Sequence, residues 1–136
     1  MNAAVQLTPN LAILIGLYEL IAGIAGLTGR ISWPALIQDF ERTPGITFLS
    51  GAVAFMIGGT LILVHSHWTD LTSSLVSAVG WIVFVKGLLI MLAPMPLLKL
   101  SERLIVHQKL ISCVAIGFGL LLILLGVTGR ISPAFI

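Results

Sequence analysis

The chain predicts an all-α membrane protein of four transmembrane helices, and three observations carry that prediction. Of its 136 residues 58% are hydrophobic and 9% charged, with a mean hydropathy of +1.14, more apolar surface than one soluble core of this size can hide. The apolar residues fall in four runs, about 11–28, 46–65, 72–93 and 108–128. Each approaches the ~20 residues that carry a helix across ~30 Å of hydrocarbon. None alternates with period two, the pattern of a closed β-barrel, which is the other way to span a bilayer. The chain reads as a single four-span domain over 1–136.

The first run follows Met-Asn-Ala-Ala-Val-Gln-Leu-Thr-Pro-Asn, which lacks the basic n-region of a signal peptide, so this helix is expected to be retained. Between the first and second runs, Trp33, Leu36, Ile37 and Phe40 recur at i, i+3, i+4, i+7, with Gln38, Asp39, Glu41 and Arg42 opposite. Ser32 before Trp33-Pro34 is a helix start, and the segment predicts a short amphipathic helix in the membrane interface. Between the third and fourth runs, Leu97, Leu100, Leu104 and Ile105 set against Lys99, Glu102 and Arg103 predict a second one. Thr-Gly-Arg-Ile-Ser occurs at 28–32 and again at 128–132, where Gly29 and Gly129 are expected just beyond helix C-termini.

Arg30, Arg42, Lys99, Arg103 and Lys109 flank the first and third connections, against Arg130 on the other side. The positive-inside rule places 29–45 and 94–107 in the cytoplasm, with both termini and the 65–71 loop outside, in a cell inner (plasma) membrane. Trp33 and Trp68 then mark opposite interfaces. A formal charge of +2 spread along the chain is no nucleic-acid surface. Cys113 is the only cysteine and lies inside the fourth run, where it is expected to serve as a small packing residue.

Span, connector and span occur twice, in halves of about 11–65 and 72–128. A shift of 64 residues superimposes Gly16 on Gly80 and Gly23 on Gly87, and a shift of 66 brings Gly51 onto Gly117. Units with an even number of spans repeat in parallel, about an axis along the membrane normal. The stretch Val-Lys-Gly-Leu-Leu-Ile-Met-Leu-Ala-Pro at 85–94, followed by an amphipathic loop and a Gly-rich span, resembles the short two-helix bacterial inner-membrane proteins of uncharacterised function. Those carry Glu-Gly-Leu where this chain has Lys86-Gly87-Leu88. The resemblance implies location and topology and no activity.

Two full charges, Glu19 and Lys86, fall deep inside apolar runs, where ionised side chains are costly and mark functional sites. Gly16, Glu19, Gly23 and Gly26 share a stripe of about 80° on a helix, a seam for close packing. Gly51, Gly58, Gly80, Gly87 and Gly119 mark further small-residue stripes, with Ala54, Ser112, Ala115 and Gly126 beside them. Glu19 and Lys86 are expected to pair and fix helix register, to leave Glu19 as a proton site, or to contact a partner subunit or lipid headgroup. His65, His67 and Asp70 are weak metal candidates at the outer surface. No histidine lies mid-span to hold a haem, and no phosphate loop or nucleophile–base set is present. No cofactor and no enzymatic activity are expected. The implied partners are the bilayer and other membrane subunits or a second copy. The expected role is an accessory or assembly subunit of a larger inner-membrane complex, with a small proton-coupled transporter built on Glu19 as the alternative.

Overall fold

A computed structural model describes residues 3–131, which form six α-helices and no strand: α1 (Ala3–Leu27), α2 (Trp33–Arg42), α3 (Pro44–Val64), α4 (Leu71–Leu92), α5 (Pro94–Ile105) and α6 (Gln108–Ile131). The segments Leu7–Leu27, Pro44–Val64, Leu71–Leu92 and Gln108–Gly129 are long and apolar enough to span a membrane. The helix boundaries have local causes. Ser32 accepts from the Ala35 N–H with Pro34 in the first turn of α2, and Pro44 and Pro94 open α3 and α5 immediately after the preceding helices stop. Asp70 and Ser73 form a reciprocal capping box at the start of α4.

The spans pack as two pairs. α1 lies along α6 and α3 along α4, whereas α1 and α4 touch lightly, as do α2 and α5. Both close pairs are antiparallel: Gly16 faces Gly119 and Ile123, and Gly23, further along α1, faces Ser112 and Ile116, earlier in α6. The pairs meet over glycine. A Cβ added at Gly16 would stand 2.7 Å from the Gly119 carbonyl oxygen, and one at Gly119 would stand 2.7 Å from that of Gly16. At Gly58 and Gly87 an added Cβ would strike the backbone nitrogens of Phe84 and Phe55, whose rings stack 4.7 Å apart across the same pair. Backbones this close gain dispersion contacts that larger side chains would forfeit, which is how helices associate in lipid.

Some sequence expectations change here. The two Thr-Gly-Arg-Ile-Ser copies differ: Gly29 has φ +71° and ends α1, but α6 runs on through Gly129. Both threonines bond back to the preceding turn, Thr28 to Ile24 and Thr128 to Leu124. The first copy has an external stop: the Gln108 amide donates to the carbonyls of Gly26 and Ile31. Gly51 packs on Ile90 and Met91, but Gly117 has open space around it, so the 66-residue shift does not superimpose packed positions. On α5 the buried residue is Leu98, and Leu100 and Leu104 are exposed; on α2 it is Ile37. Cys113 is exposed on the outer side of α6, away from the α1 seam that Ser112 faces.

Candidate functional site

Glu19 lies on the edge of the α1 seam. A Cβ added at Gly119 of α6 would stand 3.3 Å from the Glu19 Cβ, so the missing side chain of Gly119 makes room for the carboxylate's stem. The residue is half-buried, with exposed Tyr18 immediately before it and exposed Ile21 two residues on. Lys86 lies on α4 next to buried Gly87 but is itself exposed, flanked by exposed Val85, Ile82 and Leu89. The Lys86 charge acts electrostatically on Glu19, but among the described residues neither side chain has a hydrogen bond or an ion pair. Both lie within helices apolar enough to span a membrane, so the α1/α4 side of the bundle carries one acid and one base whose hydrogen-bonding capacity is unused.

The eight glycines singled out from the sequence divide between the two close pairs: Gly16, Gly23, Gly26 and Gly119 face the α1–α6 seam, and Gly51, Gly58, Gly80 and Gly87 the α3–α4 seam. All are buried. Near Gly26, the Ser112 hydroxyl and the Trp33 indole nitrogen crowd the same point. Ser112 is buried with no hydrogen-bond partner among the described residues.

At the other end of the bundle, His65 closes α3 and is buried, with Nε2 2.7 Å from the Thr8 hydroxyl of α1 and Nδ1 3.2 Å from the Ser77 hydroxyl of α4. Ser77 also donates to the His67 carbonyl. One imidazole therefore ties three helices together. Burial, and then the nearby His67, push the His65 imidazole below the usual histidine range. Asp70 serves α4: burial works against its charge, but hydrogen bonds from Ser73, Thr69 and the Thr72 backbone outweigh it and hold the carboxyl below the usual range. The His65 and His67 rings meet edge to face, 5.3 Å apart, but His65 is held by hydroxyls and Asp70 is committed to the cap, and no group of three metal-ligating side chains forms among the described residues. The sequence reading missed Thr8, Ser77 and Gln108, whose roles come from distant partners. The Asp70-to-Ser73 spacing was a visible capping signal.

Two clefts open where α2 and α5 lie. One, of about 300 Å³, lies between α3 and α4 and is lined by Phe48, Ile90, Met91 and Met95 with Glu41 at its edge. The other, larger at about 820 Å³, lies between α1 and α6 and is lined by Gly26, Gly29, Pro34, His107, Gln108 and Lys109. No family model, curated protein or solved structure matches the chain.

Proposed function

We propose that the chain is a non-enzymatic subunit of a larger inner-membrane assembly, built from two fused helix–connector–helix units, which docks on a partner span through the α1/α4 face. The exposure of Lys86 carries this reading. A lysine facing hydrocarbon within a span costs several kcal/mol, on the order of 2.5–3.5 by insertion measurements, unless it is covered by a polar partner. The α1–α6 and α3–α4 seams are closed by backbone contact, so Lys86 has no place within them and its charge stays on the outside. Glu19, half-buried beside it, offers the partner the opposite charge. The positive-inside count supports α2 and α5 lying in the cytoplasmic interface, with Trp33 and Trp68 at opposite interfaces.

The fused-unit reading is supported by register. With α1 shifted by 64 residues and the later elements by 61, Val53-Ala54, Gly58 and Leu61-Ile62-Leu63 fall on Val114-Ala115, Gly119 and Leu122-Ile123-Leu124. Glu41-Arg42 falls on Glu102-Arg103, and buried Ile37 on buried Leu98. The contacts follow the same shifts: Gly58 abuts the Phe84 nitrogen, Gly119 the Leu20 nitrogen, and Leu20 and Phe84 are 64 apart. Each unit would then be like the short two-span bacterial proteins that residues 85–94 resemble.

Purification from native membranes in mild detergent tests the docking role. The expected result is one co-purifying complex that Lys86→Leu disperses while the isolated chain keeps its helicity. A complex that survives both Lys86→Leu and Glu19→Gln counts against docking at this face. If Glu19→Gln instead abolishes pH-dependent substrate movement in liposomes without unfolding, the proton-coupled transporter is the correct reading.

A further inference from the structure

The two clefts occupy corresponding places in the two helix pairs, and their linings have diverged. Where the α3–α4 cleft has Ile90, Thr47, Phe48 and Met95, the same positions of the α1–α6 cleft hold Gly26, Gln108, Lys109 and Pro34. Ile90 and Met95 give way to the smaller Gly26 and Pro34, while Gln108 and Lys109 bring polar groups in place of Thr47 and Phe48, and the second cleft is more than twice as large. The electrostatics diverge with the volume: the first cleft has the acid Glu41 at its edge, while the second has Lys109 and His107. Its remaining walls, Leu27, Ile105, Val106 and Leu110, are apolar, and Val106 is 80% exposed. The Gln108 amide is spent on the carbonyls of Gly26, in α1, and of Ile31, in the turn beyond it, which ties the start of α6 to the end of α1.

From this we infer that the α1–α6 cleft binds the phosphate headgroup of an anionic phospholipid, with Lys109 and His107 as donors to the phosphate oxygens and the acyl chains lying along Leu27 and Leu110. An apolar wall below a cationic rim, at the end of the spans where the amphipathic connectors lie, matches an amphiphile and not a free anion. A cationic side chain at the membrane surface contributes about 1 kcal/mol of attraction to anionic lipid, or roughly five-fold in retention. The inference rests on the membrane placement of α2 and α5 and is independent of any partner at Lys86.

Native mass spectrometry of the full chain in mild detergent, with phosphatidylglycerol, phosphatidylcholine or inorganic phosphate added, tests it. Phosphatidylglycerol should be retained at least about five-fold better than phosphatidylcholine. Lys109→Gln should remove most of that preference, and Lys99→Gln, on α5 outside the cleft, should leave it. Leu110→Glu, at an exposed position on the cleft wall, should lower retention as well and provides a second reading if Lys109→Gln misfolds. Equal losses in Lys99→Gln and Lys109→Gln, equal retention of both lipids, or displacement of phosphatidylglycerol by millimolar inorganic phosphate would each overturn the inference. A failed docking test at Lys86 would leave this result untouched, because the readouts are partner retention in one case and lipid retention in the other.

Discussion

At Gly58 and Gly87 there is no flexible side-chain end to yield: an added methyl would meet the backbone of the facing helix, with the Phe84 Cβ beside it at Gly58. Gly58→Ala and Gly87→Ala should therefore force the helices apart and each lower stability by about 1–3 kcal/mol, the range for overpacking a closed interior. Gly117→Ala is the matched control, since nothing lies within 4 Å of a Cβ there and alanine is the better helix former. Thermal denaturation in detergent, followed by circular dichroism, separates the two outcomes; equal midpoints for all three variants would refute the seam. His65 gives a second prediction at the same scale. Its folded pKa is depressed, first by burial and then by His67, so the unfolded chain binds the proton more readily. The stability that His65 contributes is complete above its unfolded value of about 6.5 and is lost as pH falls through that value toward the lower folded one. Thr8 and Ser77, the groups on α1 and α4 that face the ring, are neutral, and Asp70 offsets the shift only weakly. Melting temperature should drop between pH 7.5 and 5.5, and His65→Gln should flatten that dependence; an equally steep profile in the variant would assign the effect to another group.

At the scale of elements, two identical pentapeptides make the point about local and distant causes. The copy at 28–32 ends α1, where Gln108 caps the helix from 82 residues away along the chain, while α6 continues through Thr128 and Gly129. Gln108→Leu should cost about 0.5–1.5 kcal/mol, the net worth of a hydrogen bond that water can partly replace, because it removes the amide donor from the Gly26 and Ile31 carbonyls. Hydrogen exchange should show the loss concentrated in the last turn of α1, and uniform destabilisation would argue against a capping role. The four spans, both connectors and all eight seam glycines were legible in the sequence, because chain length in hydrocarbon and the need for small residues at close crossings are local constraints. One glycine pairing between the halves is not matched in packing. Gly51 was matched to Gly117 by residue type alone, and glycine also occurs where it packs against nothing. The informative signal was longer: Val-Ala, Gly, then Leu-Ile-Leu at matching spacing in α3 and α6. The relation of Glu19 to Lys86 was only half legible. Sequence gives their depth, but whether Lys86 points at Glu19 or outward depends on helix rotation, and that is set by the α3–α4 seam that buries neighbouring Gly87.

For the whole molecule, the pairing of spans has a consequence that neither half contains alone. The first span of each half lies along the last span of the other, α1 along α6 and α4 along α3, so the halves interlock instead of standing side by side. Within one half the two spans are joined by a connector but have little to pack on. Cutting the chain between His67 and Trp68, in the loop joining α3 and α4, leaves both close seams to be formed between separate polypeptides. Fragments 1–67 and 68–136 expressed singly should insert but remain protease-sensitive, with Gly16, Gly23, Gly80 and Gly87 facing lipid. Co-expressed, they should assemble one-to-one and recover the resistance of the intact chain. Gly23→Leu, at a position facing α6, should abolish that rescue, because the leucine would meet the Ser112 carbonyl and Ile116. Protection of either fragment by itself, to the level of the pair, would mean that each half folds on its own spans and that the interlocked packing is not what stabilises the protein.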